Sequence, residues 1–346
     1  MSIPSKTLIL FKYLFSMKKF LVLFCVITVS FGFAQTNPIE DNFTKKEVYI
    51  PMRDGTKLFT IIYTPKDISK GKKYPFIMNR TCYSIAPYGE NNFRKKLNPN
   101  KFIEKEKYIF VFQDVRGRYM SEGIFTNMTP QVDHKTKKDV DESTDTYDTV
   151  DWLVKNVQNN NGKVGQYGTS YPGFYTAVGT LANHPALVAS SPQAPISDFW
   201  FDDFHHNGAF LMGYFKTFPV FGVQKTKPEK ESWFADKMIK PTSDDGYLFY
   251  KNMGTLKDGV DKYYKDNFFM QEVVNHPNYD EFWQKRNLLP HLKNISHAVM
   301  TVGGWFDAED LAGPLNIYKT IEKNNPKAKN TIVMGPFSHG GWNYDS

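Results

Sequence analysis

Short apolar runs alternate with helix-like stretches along most of this chain. Residues 46–64 alternate apolar and polar positions around Asp54-Gly55, which predicts two strands joined by a tight turn. Residues 146–157 and 174–181 have helical spacing. Further buried strands are predicted at residues 76–78, 108–112, 162–167, 188–194, 297–302 and 331–334. Strands that alternate with helices in this way predict an α/β protein with a doubly wound, mostly parallel sheet.

Residues 203–290 interrupt this alternation. They are rich in Phe, Tyr, Lys and Asp, and they show helical stretches but no convincing strand. We predict a helical cap that is inserted into the α/β domain and covers the active site. The predicted organisation is therefore an α/β core over residues 35–202, the cap over 203–290, and the second part of the core over 291–346.

The first 34 residues have the pattern of a targeting segment. Lys18 and Lys19 precede an apolar run over residues 20–34. This run is short for a membrane span, which needs about 20 residues, and is typical of a secretory signal peptide. We predict a signal peptide over residues 1–34, with Met17 as an alternative start. The expected location is the periplasm or the outside medium of a bacterium, with no membrane attachment after cleavage.

Composition and charge narrow the range of partners. The 346 residues carry a formal net charge of +7, but four positive charges lie in the predicted signal peptide. No block of Lys and Arg with interleaved aromatic residues stands out, so nucleic acid is not an expected partner. Cys82 is the one cysteine after the signal peptide, so no internal disulfide is expected.

The most informative local motif lies between a predicted strand and a predicted helix. Gly168-Thr-Ser170-Tyr-Pro-Gly173 is close to the nucleophile elbow Gly-x-Ser-x-Gly, but its second glycine comes one position late. Downstream, Asp307 follows the strand predicted at 297–302, and His339 follows the strand predicted at 331–334. Ligand sites of open α/β sheets gather at the carboxyl ends of the strands. We therefore predict a triad of Ser170 as nucleophile, His339 as base and Asp307 as its orienting acid.

The predicted acyl chemistry also needs donors for an oxyanion. The backbone N–H of Tyr171, directly after the nucleophile, is the expected first donor. A second donor must come from the loop after an earlier strand, and the hydroxyl of Tyr83 is a candidate. On these residues alone, an aromatic side chain at the rim of the site is the simpler interpretation of Tyr83.

Five motifs together resemble the cocaine esterase (CocE/NonD) and X-Pro dipeptidyl-peptidase (S15) group of serine hydrolases. They are Arg80-Thr81-x-Tyr83, Asp114-Val115-Arg116-Gly117-Arg118 with Ser121-Glu122-Gly123, Gly168-x-Ser170-Tyr171-x-Gly173, Gly304-Trp305-x-Asp307 and Gly335-Pro336-x-x-His339. The resemblance implies an α/β-hydrolase fold with a helical cap and a Tyr83 hydroxyl in the oxyanion hole. It also implies a C-terminal jelly roll in the family, which we expect to be absent from this chain because of a C-terminal truncation.

Within this group, the resemblance is greatest to α-amino acid ester hydrolases. These enzymes gather three carboxylates around the α-ammonium group of the substrate, and Asp203, Glu309 and Asp310 match them here. Acidic groups that are desolvated together destabilise one another, and a cationic ligand relieves that cost. Two alternatives stay open: Asp202 could replace Asp203, or the acids could be solvated residues at helix starts.

The sequence therefore predicts an exported serine hydrolase that cleaves esters of α-amino acids through an acyl-enzyme. Cleavage of amides and acyl transfer to β-lactam amines are further expected reactions. The predicted partner is a small ester or short peptide with a free α-amine, and the chemistry needs neither a cofactor nor a metal. A homo-oligomer of the full-length protein stays open. The alternatives are an X-Pro dipeptidyl peptidase, a general acyl esterase of the cocaine esterase type, and a non-enzymatic glycan-binding or assembly protein.

Overall fold

The computed structural model describes residues 37–67, 71–133, 135–231, 239 and 245–344. The strands are β1 Phe43–Pro51, β2 Lys57–Pro65, β3 Tyr74–Thr81, β4 Ile109–Asp114, β5 Asn160–Thr169, β6 Leu187–Gln193, β7 His205–His206, β8 Ala209–Phe210, β9 Ala298–Gly304 and β10 Asn330–Gly335. The helices are α1 Pro38–Asn42, α2 Lys101–Glu106, α3 Glu142–Asn156, α4 Tyr171–Gly179, α5 Tyr214–Thr217, α6 Gly246–Met253, α7 Leu256–Tyr263, α8 Phe268–Asn275, α9 Glu281–Gln284 and α10 Ala312–Asn324.

Eight of these strands form one sheet in the order β1-β2-β4-β3-β5-β6-β9-β10. β1 pairs antiparallel with β2, and β2 pairs antiparallel with β4. The remaining pairs are parallel. The prediction of a mostly parallel α/β-hydrolase sheet is confirmed. Because parallel strands end at the same edge of a sheet, the carboxyl ends of β3, β5, β9 and β10 lie on one side of the molecule.

Helix α3 begins four residues before the apolar pattern predicts. Asp141 caps it, because its carboxylate accepts the backbone N–H of Thr144 at 2.9 Å, and the Thr144 hydroxyl lies 2.9 Å from the N–H of Asp141. This reciprocal arrangement is a capping box built from Asp and Thr. Polar residues supply the first turn, so apolar periodicity alone places the start too late.

The predicted cap region contains helices α5 to α9 and one short hairpin. β7 and β8 pair antiparallel, with His205 opposite Phe210. Asn207 and Gly208 connect them with φ angles of 52° and 84°. An Asn-Gly pair with two positive φ angles is typical of a tight hairpin turn. The expectation that residues 203–290 contain no strand is therefore wrong at this hairpin, although the boundaries of the cap stay a prediction.

Aromatic side chains join the cap region to the core near α4. Phe204 and Trp283 are fully buried, and their ring centroids lie 5.4 Å apart. They belong to the same buried cluster as Tyr171 and Phe174 of α4. The first turn of α4 is therefore fixed on one side by the sheet and on the other by the cap.

Two other predictions concern the ends of the chain. The predicted signal peptide, residues 1–34, lies outside the described residues. Up to Tyr344, the described residues form no jelly roll. In the same part of the chain, no helix combines the length and the apolar character that crossing a membrane requires.

Candidate active site

Ser170 lies on a strained turn between β5 and α4. Its backbone has φ 67° and ψ −131°, a conformation that costs energy for a residue with a Cβ. Two hydrogen bonds of 3.0 Å hold this turn: the Ser170 N–H donates to the carbonyl of Gln193, and the Ser170 carbonyl accepts the N–H of Phe174. Strain of this kind is the hallmark of a nucleophile elbow, where it exposes the serine hydroxyl.

The displaced glycine of the elbow motif has a steric cause. A Cβ on Gly168 would lie 2.2 Å from the carbonyl oxygen of Pro172, and a Cβ on Gly173 would lie 2.4 Å from that of Gln193. Position 172 instead lies in the first turn of α4, where proline is tolerated. The close backbone approach therefore falls at residue 173, and glycine is required there.

Asp307 and His339 form a hydrogen-bonded pair at the ends of β9 and β10. The Nδ1 atom of His339 lies 2.9 Å from the Oδ2 atom of Asp307. The other oxygen of Asp307 accepts the backbone N–H groups of Glu309 and Asp310, both at 2.9 Å. Burial alone would raise the pKa of Asp307, but the hydrogen bonds from His339 and these N–H groups lower it below its usual range. Asp307 is therefore an anion held in place to orient the imidazole.

The predicted nucleophile, Ser170, and the predicted base, His339, lie on neighbouring loops. Asn343 donates to the hydroxyl of Thr169 at 3.2 Å, which ties the His339 loop to the residue before Ser170. In the described part of the chain, no hydrogen bond joins the Ser170 hydroxyl to His339. Such catalytic hydrogen bonds are often long before substrate binds. The structure thus pairs Asp307 with His339, and it places the loop of His339 next to the residue that precedes Ser170.

The predicted oxyanion donors flank Ser170. Tyr171 is the first residue of α4, so its backbone N–H has no acceptor within the helix. Tyr83 follows β3, and its ring packs edge-on against the ring of Tyr171 at 6.4 Å. Desolvation raises the pKa of Tyr83 well above its ordinary value, and a hydrogen bond with Ser170 only partly opposes this. The Tyr83 hydroxyl therefore stays protonated and can donate.

Asp114 fixes the loop that carries Tyr83. Its side chain is fully buried and accepts the N–H of Ile85 at 3.1 Å, the hydroxyl of Tyr88 at 2.9 Å and the N–H of Met120 at 3.3 Å. These bonds join the loop after β3 to the loop after β4. The sequence showed Asp114 as part of a motif, but gave it no role.

The predicted ammonium-binding acids lie together behind this pair. Asp310 is fully buried, and neither of its carboxylate oxygens has a hydrogen-bond partner; the same holds for Oδ1 of Asp203. Desolvation raises the pKa of both carboxyls well above the usual range, and the neighbouring acids raise it further. Burial and the charge of Asp307 also raise the pKa of Glu309, against the effect of His339.

The structure separates the two adjacent candidates Asp202 and Asp203. One oxygen of Asp202 accepts the N–H and the hydroxyl of Ser197, at 2.7 and 2.8 Å, and the N–H of Asp198 at 3.0 Å. Asp202 therefore stabilises a turn. Both acids interact electrostatically with Asp310, but Asp203 also interacts with Glu309 and has no such turn to stabilise, so it is favoured as the member of the acidic cluster.

Tyr214, on α5, was missed by the sequence analysis. Its ring stacks on Phe218 with centroids 4.0 Å apart. Burial, and then the charges of Asp203 and Glu309, raise the pKa of its hydroxyl far above the usual range. It therefore borders the acidic cluster as a neutral phenol. No motif marks it in a region that is rich in aromatic residues.

Metal-binding clusters and cavities were the other candidates for a functional site. Across the described ranges, no cluster of His, Cys, Asp and Glu is suited to hold a metal ion. A cavity of about 480 Å³ lies beside β3, β5, β6 and β9, lined by residues such as Ile77, Tyr167 and Met300. It includes none of the predicted site residues, so the site is defined by the geometry around Ser170 and not by cavity size.

Comparison with known proteins agrees with this arrangement. The family model described as X-Pro dipeptidyl-peptidase (S15 family) matches residues 54–341. The chain belongs to the S15 family. Its resemblance to this group, predicted from five motifs, is confirmed.

Three relatives of this S15 chain illustrate its similarity. Cocaine esterase from Rhodococcus sp. (strain MB1 Bresler) is 24% identical over 323 residues, which cover 87% of this chain and 50% of the esterase. The structure of an α-amino acid ester hydrolase is 32% identical, with a TM-score of 0.77, and the match covers 90% of this chain and 51% of that one. An aminopeptidase from a marine sediment archaeon, Thaumarchaeota archaeon, is 33% identical, with a TM-score of 0.75 and coverages of 90% and 52%. The chain spans about half the length of the curated relatives it matches.

Proposed function

We propose that this S15-family chain is a serine hydrolase that cleaves esters of α-amino acids with a free amine. The observation that carries the proposal is a pair of buried acids, Asp203 and Asp310, beside the hydrogen-bonded Asp307 and His339. Both oxygens of Asp310 and Oδ1 of Asp203 lack a hydrogen-bond partner. Buried polar groups are nearly always satisfied, so two unsatisfied carboxylates call for a cationic ligand. The 32% identity to an α-amino acid ester hydrolase supports the same substrate class.

In the proposed reaction, His339 Nε2 takes the proton of the Ser170 hydroxyl as Oγ bonds to the ester carbonyl carbon. The carbonyl oxygen becomes an oxyanion, which accepts hydrogen bonds from the Tyr171 N–H and the Tyr83 hydroxyl. The imidazolium then gives its proton to the departing alcohol, and an acyl-enzyme remains. A water molecule, deprotonated by the same imidazole, then attacks the acyl carbon. The bond from this carbon to Ser170 Oγ breaks, the imidazolium returns its proton to Oγ, and the amino acid is released.

The carboxylates set the substrate class in this proposal. Asp203, Glu309 and Asp310 hold the α-ammonium group next to the ester carbonyl, which fixes the distance between charge and reacting carbon. The ligand also relieves the repulsion between acids that are desolvated together. An uncharged acyl group would leave that repulsion in place, and it would bind less well.

Export and acyl transfer belong to the proposal as well. The basic Lys18 and Lys19 before an apolar run support secretion. A β-lactam amine could attack the acyl-enzyme in place of water, because both nucleophiles meet the same ester carbonyl.

A second candidate is a peptidase that also recognises a free amine. The family description and the 33% identity to an archaeal aminopeptidase favour it. The same acidic cluster would hold the N-terminus of a peptide, and the same triad would cleave its amide. The two candidates differ in the leaving group and not in the binding of the amine.

Three substrates separate these functions: alanine methyl ester, its N-acetylated form and an Ala-Pro anilide. The proposal predicts fast turnover of the free ester, much slower turnover of the acetylated ester and little cleavage of the anilide. Equal rates on the two esters would reject the ammonium site, and preference for the anilide would favour the peptidase. Fluorophosphonate labelling should be lost in Ser170→Ala and kept in the control Ser191→Ala. Labelling that survives in Ser170→Ala would reject the nucleophile.

A further inference from the structure

His339 is surrounded by more negative charge than a catalytic triad needs. Its Nδ1 atom lies 2.9 Å from Oδ2 of Asp307 and 3.9 Å from Oδ2 of Asp310. Its Nε2 atom lies 3.7 Å from Oε2 of Glu309. Asp307 alone is enough to orient the imidazole. Glu309, in contrast, lies beside the nitrogen that must accept the serine proton.

The three carboxylates differ in how firmly they are held. Asp307 is fixed by two backbone N–H groups and by His339. Asp310 is fully buried. The side chain of Glu309 is 31% exposed and makes no hydrogen bond among the described residues. Glu309 is therefore the member of the group that can turn toward a different cation.

A carboxylate beside Nε2 opposes base catalysis. It favours the charged imidazolium, which has no lone pair to accept the proton of Ser170. Burial lowers the pKa of His339, but the hydrogen bond to Asp307 and the charges of Asp307 and Glu309 together raise it above its ordinary value. The absence of a hydrogen bond between Ser170 and His339 in the described part of the chain is consistent with an imidazole directed toward Glu309.

We propose that Glu309 makes the catalytic base respond to the charge of the substrate: with the amine site empty it pairs with His339, and the α-ammonium group draws it away and leaves Nε2 free for Ser170. This inference rests on the proposed function. It gives the substrate amine two effects, one on binding and one on the activity of the base. The amine therefore increases kcat, and it does not act through KM alone.

Other titratable groups around His339 do not supply this response. Asp203, on the turn formed by Trp200–Phe204, and Asp310 are buried, and desolvation raises the pKa of each well above its usual range, which disfavours their charged forms. Tyr83 after β3 and Tyr214 on α5 also have raised pKa values and stay neutral. Glu309 is left as the adjustable charge next to Nε2.

The test compares alanine methyl ester with methyl propanoate, which lacks only the amine, between pH 4.5 and 7.5. For the amino ester, kcat should begin to fall at a lower pH than kcat/KM. In the complex the bound ammonium group has drawn Glu309 away from His339, so the imidazole takes up its proton at a lower pH. For methyl propanoate the two profiles should fall together. Glu309→Gln should raise the kcat of methyl propanoate at pH 5.5 about two- to tenfold. Glu281→Gln removes an exposed charge from α9 and serves as the control.

Labelling of Ser170 provides a second measurement that needs no turnover. Alaninol, which has the amine but no ester, should extend fluorophosphonate labelling to lower pH, whereas propan-1-ol should not. Glu309→Gln should abolish the effect of alaninol. A different result is that the enzyme prefers the amino ester while kcat and kcat/KM of both esters fall at the same acidic pH. That result would overturn this inference and leave the proposed function intact. No preference for the amine on any ester would overturn the proposed function itself, and this inference with it.

Discussion

Replacing Asp310 by asparagine removes one charge from the centre of the proposed ammonium site. The side chain is fully buried, and both of its oxygens lack hydrogen-bond partners, so no hydrogen bond is lost. The contact that changes is the one of 3.9 Å between Oδ2 and Nδ1 of His339. The backbone N–H of Asp310 still donates to Asp307, because that bond does not depend on the side chain. The substitution keeps the volume and should leave the pair of Asp307 and His339 in place.

The expected fall in kcat/KM follows from the lost contact between Asp310 and the α-ammonium group of the substrate. A hydrogen bond to a charged group contributes about 1.5–3 kcal/mol. This corresponds to a roughly 10- to 150-fold fall in kcat/KM for alanine methyl ester. The N-acetylated ester carries no ammonium group, so its kcat/KM should stay the same or rise. The ratio of the two values is therefore the quantity to measure.

The same substitution should stabilise the protein at neutral pH. Desolvation and the neighbouring acids raise the pKa of Asp310 in the folded state above its value in the unfolded chain. The folded state thus binds the proton more tightly, and the free energy of unfolding falls as the pH rises through this range. Asparagine cannot ionise and avoids this loss. The variant should melt at a higher temperature than the parent at pH 7, and the difference should shrink toward pH 3.

Asp261→Asn is the matched control, because it removes an exposed carboxylate of α7 that pairs with Lys257. It should change neither the ester ratio nor the slope of melting temperature against pH. If Asp310→Asn lowered the rates on both esters equally, their ratio would stay unchanged and the loss would be general damage to the site. An unchanged ratio would remove Asp310 from amine recognition and refute the reasoning.

Three further predictions test the elbow, the oxyanion hole and the core. Tyr83→Phe should lower kcat on both esters about 100- to 1000-fold with little change in KM, and an unchanged kcat would exclude Tyr83 as an oxyanion donor. Gly173→Ala should destabilise the fold by about 1–3 kcal/mol, because its Cβ would meet a backbone oxygen at 2.4 Å; Gly213→Ala, with open space around it, is the control, and equal melting temperatures would contradict the steric argument. Burial lowers the pKa of His297 to about 4, and its Nε2 lies 2.8 Å from the Ser190 hydroxyl. The unfolded chain therefore takes up a proton that the folded state excludes, and the free energy of unfolding should fall by at most about 1.4 kcal/mol per unit as the pH drops from 6.5 to 4. His297→Gln should show a shallower fall, and equal slopes would refute this.

Much of the site was predictable because its residues follow strands. A buried strand has a clear apolar pattern, and the residue that follows it lies at a known edge of a parallel sheet. Chain order and strand ends were enough to predict the triad of Ser170, Asp307 and His339, and the structure pairs the last two. The distance from Glu309 to His339 was not predictable, because it depends on the backbone angles of the loop after β9. Tyr214 was not predictable because the cap has no repeating pattern that orients its side chains.

Sequence also could not decide between the adjacent acids Asp202 and Asp203. Asp202 and Asp203 have identical side chains, and sequence analysis left the choice between them open. Both have an Oδ1 atom without a partner. The turn formed by Trp200–Phe204 directs Oδ2 of Asp202 toward the N–H groups of Ser197 and Asp198, whereas no such N–H group holds the Asp203 carboxylate among the described residues. Local geometry therefore decides which acid is structural and which is available to a ligand.

The unsatisfied carboxylates link the stability of this protein to its specificity. A buried acid without a partner destabilises the fold, and the proposed function gives a reason for two such groups to be adjacent. An ammonium ligand supplies both the missing charge and the missing hydrogen-bond donors. Binding should therefore stabilise the region around Asp203 and Asp310 more than a neutral ligand of the same shape, since the neutral ligand leaves the repulsion between the acids in place. In the proposed function, the cost of the empty site is the source of the preference for a charged substrate.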